Sequence, residues 1–375
     1  MNNKLIFIIN EYSFYLSHRQ ELIKRLAKYY DIDIITDLSS IEKHNLEILN
    51  TENITFIHLS KRKPGLNPFN IAAFTLALKN YINNHDYVFF VSMENCLIGS
   101  VLSKTLKTKN NFFLITGIDS ILSPTTIREI AIKIFYKISF SFFLDTKNIF
   151  IFQNKDDQSQ ISSLSKKINS MLIEGNGIDL NKYKFKKRLI TKEQGIKFLF
   201  ASKLETAKGI NEYFNAALSL KKTYPQSSFS IAGKWEPENK RSISSDQYEF
   251  IIKQDEINYL GEVKYSEMLE LLYSHDVLIL PSYREGLPSI AIEAAASGMP
   301  LIVSNVPGCR SLIGEKKNGY LIEPCSSSSI VKSVKALLRD QKDFSNLSIN
   351  SRQLIEKRFE IMKITDQYLK LLAKS

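Results

Sequence analysis

The chain has 375 residues, too many for one compact core and comfortable for two domains of ordinary size. Hydrophobic residues make up 44% and charged residues 24%, with 23 Phe and 17 Tyr, which excludes a disordered or fibrous chain. A formal net charge of +11 favours an anionic partner, whether nucleic acid, acidic lipid or a phosphorylated small molecule. Three widely spaced cysteines, Cys96, Cys309 and Cys325, argue against a disulfide framework and for a reducing compartment. The apolar run at 5–9 is too short for a signal-peptide core. In the most apolar stretch, 127–152, the longest charge-free run is 138–144, well short of the ~20 residues a spanning helix needs. A cytoplasmic location is expected.

In chain order, short β-rich runs at 5–9, 33–36, 54–58, 87–91, 112–116 and 149–152 alternate with helical patterns such as 19–29, 71–83 and 96–106. The segment 181–188, Asn-Lys-Tyr-Lys-Phe-Lys-Lys-Arg, reads as a basic, non-periodic joint. Beyond it the scheme repeats, with strands at 196–201, 228–233, 257–260, 277–280, 301–303 and 320–322, and helices such as 210–222 and 265–274. This alternation predicts an α/β protein of two Rossmann-like, doubly wound domains facing a cleft. Ligands of such sheets bind beyond the carboxyl ends of the strands, so the loop after each strand is where chemistry is sought.

The strand at 277–280 runs into Pro281-Ser-Tyr-Arg-Glu285-Gly286-Leu287-Pro288-Ser289-Ile290, then Ala-Ile-Glu293 and an Ala-rich stretch ending at Gly298 and Pro300. Pro288 suits the first position of a helix, and Gly298 with Pro300 its stop. The amides around Pro288 to Ile290 would form an anion site, with Glu285 just before it and Glu293 about one and a half turns in. A diphosphate there would place one carboxylate near the hydroxyls of a sugar and the other near a ribose. Spacing alone leaves an ordinary strand–helix unit with two solvated glutamates as an equal alternative.

Glu285 and Glu293, eight apart, resemble the Glu-x7-Glu signature of glycosyltransferase family 4, which is retaining, metal-independent and of the two-domain GT-B fold. Phe200-Ala-Ser-Lys203-Leu-Glu-Thr-Ala-Lys208-Gly209 resembles the segment that carries the family's cations on the donor diphosphate. Gly175-Asn-Gly-Ile-Asp179 resembles the domain junction, Leu260-Gly-Glu-Val263 the turn that holds the nucleotide base, and Asn318-Gly-Tyr-Leu321 a later turn. Together these segments span about residues 170–325. Residues 60–69 and the helical pattern at 127–144 resemble, more loosely, a subgroup that adds N-acetylgalactosamine to lipid-linked oligosaccharides. Two departures stand out. Lys203 replaces the family's Arg and loses its bidentate fork. Where many members carry an acceptor-side histidine, this sequence has Met93-Glu94 and Thr116-Gly117, so no active-site histidine is carried over.

The resemblance implies an acceptor domain at 1–178, a nucleotide-sugar domain at 179–356, and a C-terminal helix at 357–375 crossing back to the first. It assigns Glu285, Lys208 and Lys203 to catalysis, and Glu293, Gly286, Leu287, Pro288, Ser289, Ile290 and Val263 to donor binding. The implied reaction moves a sugar, an N-acetylhexosamine such as GalNAc, from a UDP-sugar to a polyprenyl-diphosphate-linked glycan of a bacterial surface polysaccharide or glycoprotein. Lysines and a helix end would meet the leaving diphosphate's charge without a metal. Asp31-Ile-Asp33 heads a strand and reads as solvated carboxylates, and the five histidines show no ligand spacing. Residues 14–19 follow the first strand and open the first helix, which points His18 and Arg19 at the cleft; a capping role is the equal alternative. The basic, apolar segment 127–144 is either a buried covering helix or a peripheral face for an anionic membrane, a face that Lys61-Arg62-Lys63 could join. Two other functions compete: a UDP-sugar 2-epimerase of the same fold, and a basic nucleic-acid binder. The first would need several cleft carboxylates and histidines, and the second an aromatic-basic recognition motif that does not stand out. No nucleic-acid partner is expected.

Overall fold

The computed structural model describes residues 3–39, 50–58, 68–118, 130, 134, 136–138, 147–163, 168–189, 195–339 and 341–374. The chain divides into two compact units, one of residues 1–177 with 361–375 and one of residues 178–360. The expected likeness at residues 60–69 lies outside the described residues except for its last two, and most of 127–144 lies outside them too.

In the first unit the strands are β1 (Lys4–Glu11), β2 (Asp31–Asp37), β3 (Ile54–His58), β4 (Tyr87–Val91), β5 (Asn110–Ile115), β6 (Asn148–Phe152) and β7 (Asn169–Leu172). They pair in parallel in the order β3-β2-β1-β4-β5-β6-β7. Alternation puts Leu5, Phe7 and Ile9 into one core, with Phe89 and Phe112 beside them, and Ile6 and Ile8 into the other, with Phe90 and Phe113. Both faces are therefore covered, as a parallel sheet requires. β7, Asn-Ser-Met-Leu, is an edge strand that no β-rich run announces. The closing helix Ile361–Ala373 sets Ile361, Ile364, Tyr368, Leu371 and Leu372 into the first of these cores.

The second unit holds β8 (Lys197–Ala201), β9 (Ser228–Ala232), β10 (Asn258–Gly261), β11 (Val277–Leu280), β12 (Leu301–Ser304) and β13 (Gly319–Ile322), parallel in the order β10-β9-β8-β11-β12-β13. The same alternation sends Phe198, Phe200 and Ile279 to one core and Leu199, Leu278 and Leu280 to the other. The basic segment at 181–188 is a packed part of this unit rather than a bare joint. Arg188 is buried and donates to the carbonyls of Leu272 and Tyr273, at the end of the helix Met268–Ser274.

The first helix differs from expectation. The chain turns helical at Tyr12, widens into a π-helical stretch over Tyr15–Arg19, and only then continues as Gln20–Leu26. The extra residue of a π turn shifts the following side chains around the axis, and it brings Arg19 into the core side.

Candidate functional site

Each sheet reverses its strand order at one place: between β1 and β4 in the first unit, between β8 and β11 in the second. Loops leaving such neighbours diverge and open a crevice. In the second unit the two loops are Ser202–Gly209 after β8 and Pro281–Pro288 after β11, and Lys208 and Glu285 meet there.

Lys208 closes a short 3-10 turn, Thr206–Lys208, that ends at Gly209 in the left-handed region (φ +75°). A Cβ on Gly209 would stand 2.2 Å from the Pro281 carbonyl oxygen, so only glycine lets the loops approach this closely. The Tyr283 amide donates to the Ala207 carbonyl at 2.8 Å, joining the loops. Lys208 Nζ then donates to Glu285 Oε1 at 2.7 Å, with both side chains largely shielded from solvent (29% and 12% exposed). A second turn braces this pair from behind. The Gly308 amide donates to the Glu285 carbonyl at 3.2 Å, and buried Cys309 lies close enough to sense both charges.

The helix after the loop runs Ser289–Ala296. Pro288 is its N-cap rather than its first residue, with an extended ψ of 114° and no side-chain cap. The amides of Ser289 and Ile290 thus have no intrahelical acceptor and carry the positive end of the dipole. Leu287 and Ile290 pack against the second unit's core, as does Val263 in the turn after β10. Gly286 lies between Glu285 and that start, its carbonyl oxygen 2.1 Å from where a Gly308 Cβ would be.

Glu293, by contrast, is buried (8% exposed) on the same helix. Burial pushes its carboxyl up to about 7, against the opposing pull of a Tyr183 hydrogen bond and the Lys182 charge. Tyr183 is held by Arg352, which donates to its carbonyl at 2.6 Å and to that of Ala296 at 2.9 Å. Lys182 Nζ sits 4.5 Å from the Tyr265 ring centroid. Sequence reasoning missed Tyr183, Tyr265 and Arg352. Only Tyr183 lies in a segment with a local signal, the Lys-Tyr alternation of 181–188.

Lys203 takes a different partner. Its ammonium lies 3.5 Å from Glu236 Oε2, and its side chain is 60% exposed. Partial burial raises the Glu236 carboxyl, but Lys203 and Lys234 outweigh it and hold that group below the usual range. In the first unit His18 accompanies Arg19 beyond β1. Its Nδ1 is 2.6 Å from Ser17 Oγ and its ring stacks on Phe14 at 4.4 Å. Burial, then the Arg19 charge, pushes it down to about 4. Arg19 itself is only 1% exposed rather than presented to solvent. Asp33 receives His85 Nε2 at 2.9 Å, and Asp31 begins β2, at the sheet edge opposite the strands' carboxyl ends. Among the described residues no group of three or more His, Cys, Asp or Glu is placed to hold a metal ion.

Comparison with known proteins bears on the fold and the enzyme class. Residues 181–354 match the model of the family described as "Glycosyl transferases group 1". The chain is 27% identical over 328 residues to the N,N'-diacetylbacillosaminyl-diphospho-undecaprenol alpha-1,3-N-acetylgalactosaminyltransferase of Campylobacter jejuni, covering 82% of this chain and 83% of that one. Among solved structures it resembles a sucrose-phosphate synthase from Thermosynechococcus elongatus (TM-score 0.80, 17% identity, all of both chains). It also resembles Anabaena HepE in complex with UDP and glucose (TM-score 0.76, 15% identity, all of both chains). The expected two-unit GT-B fold and the expected enzyme class both hold: the second unit carries a glycosyl transferases group 1 domain, and the chain is a glycosyltransferase.

Proposed function

We propose that the chain is a retaining transferase that moves an N-acetylhexosamine, GalNAc first among candidates, from a UDP-sugar to a polyprenyl-diphosphate-linked glycan in bacterial surface-glycan assembly. The observation that carries the donor half of this reading is the Lys208–Glu285 pair beside the uncapped start of the helix Ser289–Ala296. A diphosphate fits between a lysine and free helix amides, and a sugar on its far phosphate fits against Glu285. Glu293, deeper on the helix, takes the ribose hydroxyls as a carboxylate. The acceptor half is supported by the Campylobacter relative, which acts on a diphospho-undecaprenol-linked sugar.

In the transfer the bond from the sugar's anomeric carbon to the β-phosphate oxygen breaks. A bond to the acceptor oxygen forms on the same face, and the acceptor's proton passes to the leaving phosphate. Lys208 and the helix amides meet the charge that develops on that phosphate. Lys203 adds a second, more exposed cation. No metal is needed for this division of labour, so turnover should persist in EDTA; complete loss restored by Mn²⁺ would reopen Asp31 and Asp33.

Peripheral contact with the cytoplasmic face of an anionic membrane belongs to the same reading. No helix among the described residues is long and apolar enough to cross a membrane. Ile130, Ile134 and Ile138 recur at helical spacing and are 46%, 52% and 49% exposed, next to exposed Lys137. Ile134→Asp should reduce sedimentation with anionic vesicles, and unchanged sedimentation would remove this face from the account. The reaction itself is tested by a panel of UDP- and GDP-sugars with a synthetic polyprenyl-diphosphate sugar, read by mass spectrometry. Product from UDP-GalNAc is the expected result. Transfer from GDP-sugars alone, or epimerised donor without transfer, would refute the assignment.

A further inference from the structure

Arg19 is the largest fully buried side chain among the described residues, and its Nε, Nη1 and Nη2 atoms all lack a hydrogen-bond partner. Tyr368, on the closing helix of the same unit, is fully buried too, and its hydroxyl is likewise unpartnered. The phenol lies near enough to feel the guanidinium's charge, and the Phe14 ring centroid is 5.9 Å from Arg19 Cζ. A guanidinium keeps its proton in proteins and offers five N–H donors and no acceptor. Leaving such a charge in a core without a carboxylate or carbonyl is strongly unfavourable, and an apolar side chain of similar volume would sit there more stably. Orphaned buried donors are rare in native chains, and a functional role is one of the explanations such a group calls for.

The location says where. Arg19 ends the π-helical stretch Tyr15–Arg19, which follows β1 after one helical turn, and β1 and β4 are the neighbours at which the first sheet reverses its order. Ligands of open parallel sheets bind at that place. The chemistry says what. A donor-only fork with a fixed positive charge is complementary to the paired oxygens of a phosphate, which it engages bidentately.

We propose that Arg19 is a diphosphate-binding residue, whose guanidinium turns from the core outward beyond the end of β1 to meet the diphosphate. Both ligands of the proposed reaction carry that group, the lipid-linked acceptor and the nucleotide donor. The assignment of its source rests on the reaction proposed above, whereas the anion binding does not.

The test uses the full chain in a Lys208→Ala background, which removes the second unit's cation, and titrates inorganic pyrophosphate by calorimetry. Arg19→Met should weaken that binding about tenfold to a hundredfold, and Arg19→Lys by less, because a point charge replaces a fork. Arg19→Met should also raise the melting temperature, since the orphaned charge is gone. Failure of the Lys208→Ala chain to bind pyrophosphate, or equal affinity with and without Arg19, would overturn the proposal. If Arg19→Met does not fold, Arg19→Lys decides, and unchanged affinity there overturns it as well. Steady-state rates with a short prenyl-diphosphate sugar and with the same sugar on a neutral alkyl chain then find the source. A higher KM confined to the diphosphate acceptor assigns Arg19 to the acceptor, and a higher KM for the UDP-sugar assigns it to the donor. Unchanged KM for both would contradict a role in either. Absence of transfer by the parent enzyme would sink the proposed reaction while leaving the pyrophosphate result intact.

Discussion

The two sheets reverse their strand order at equivalent places and treat charge there in opposite ways. Beyond β8 and β11, Lys208 and Glu285 meet at 2.7 Å and form a braced, largely shielded pair. Beyond β1 and β4, Arg19 is buried with no partner, and Ser92 holds φ +86° and ψ 157°, a backbone region that glycine favours and other residues occupy only when their surroundings compel it. Asn10 gathers there, donating toward Ser92 Oγ at 3.4 Å and Glu94 at 3.3 Å, and accepting from Asn95 at 2.7 Å. The contrast teaches that two equivalent crevices of one chain can hold charge differently. One shows a satisfied ion pair, the other a buried guanidinium without a partner beside a strained backbone residue.

That contrast breaks most directly at Gly308. An added Cβ would lie 2.1 Å from the Gly286 carbonyl oxygen and 2.8 Å from that of Glu285, so Gly308→Ala must displace the Glu285 loop. Misplacing a reacting group by about 1 Å costs on the order of a hundredfold in rate. The turnover of the folded variant checks this, and parental turnover would show that the brace is dispensable.

Next in size is the buried carboxyl. Glu293 titrates at about 7 in the folded chain against a reference of 4.5, so between those values the native state keeps a proton that the unfolded chain has lost. Stability from this group is complete below pH 4.5 and falls as pH rises to 7. The shift corresponds to roughly 3 kcal/mol. Urea unfolding at pH 5 and pH 8 should show that loss in the parent and not in Glu293→Gln; equal slopes in the two chains would contradict it.

Glu285→Gln should lower turnover about tenfold while leaving free UDP binding untouched, because the lost contact is to the transferred sugar. Comparable losses in both would place Glu285 on the nucleotide instead. Smallest of all, Lys203→Ala should change turnover by no more than about fivefold, as a side chain 60% exposed meets the diphosphate in a solvent-screened setting where a charge contact is worth at most ~1 kcal/mol. A loss matching that of Lys208→Ala would raise Lys203 to an equal role.

Much of this was legible before the fold was known. Twelve of the thirteen described strands announce themselves as β-rich runs, most plainly the interior ones, whose two faces are both buried. β7 does not, since Asn-Ser-Met-Leu carries no β-branched or aromatic side chain. Glu285 and Lys208 were found because their loops carry glycine and proline at turns that demand them. Tyr183 and Arg352 were not, because their contact with Glu293 and its helix joins positions far apart in sequence, and no local pattern encodes it. Arg19 is expected at the cleft or as a cap on the premise of a regular helix; the π turn that carries it into the core has no recognisable residue signature.

The central claim is that the second unit's crevice receives the donor diphosphate on Lys208. Calorimetric titration of UDP into the parent and Lys208→Ala tests it with one contact removed. Loss of a charge-assisted contact worth ~1.5–3 kcal/mol predicts affinity about ten- to a hundredfold weaker in the variant. Equal affinity in the two chains would contradict it.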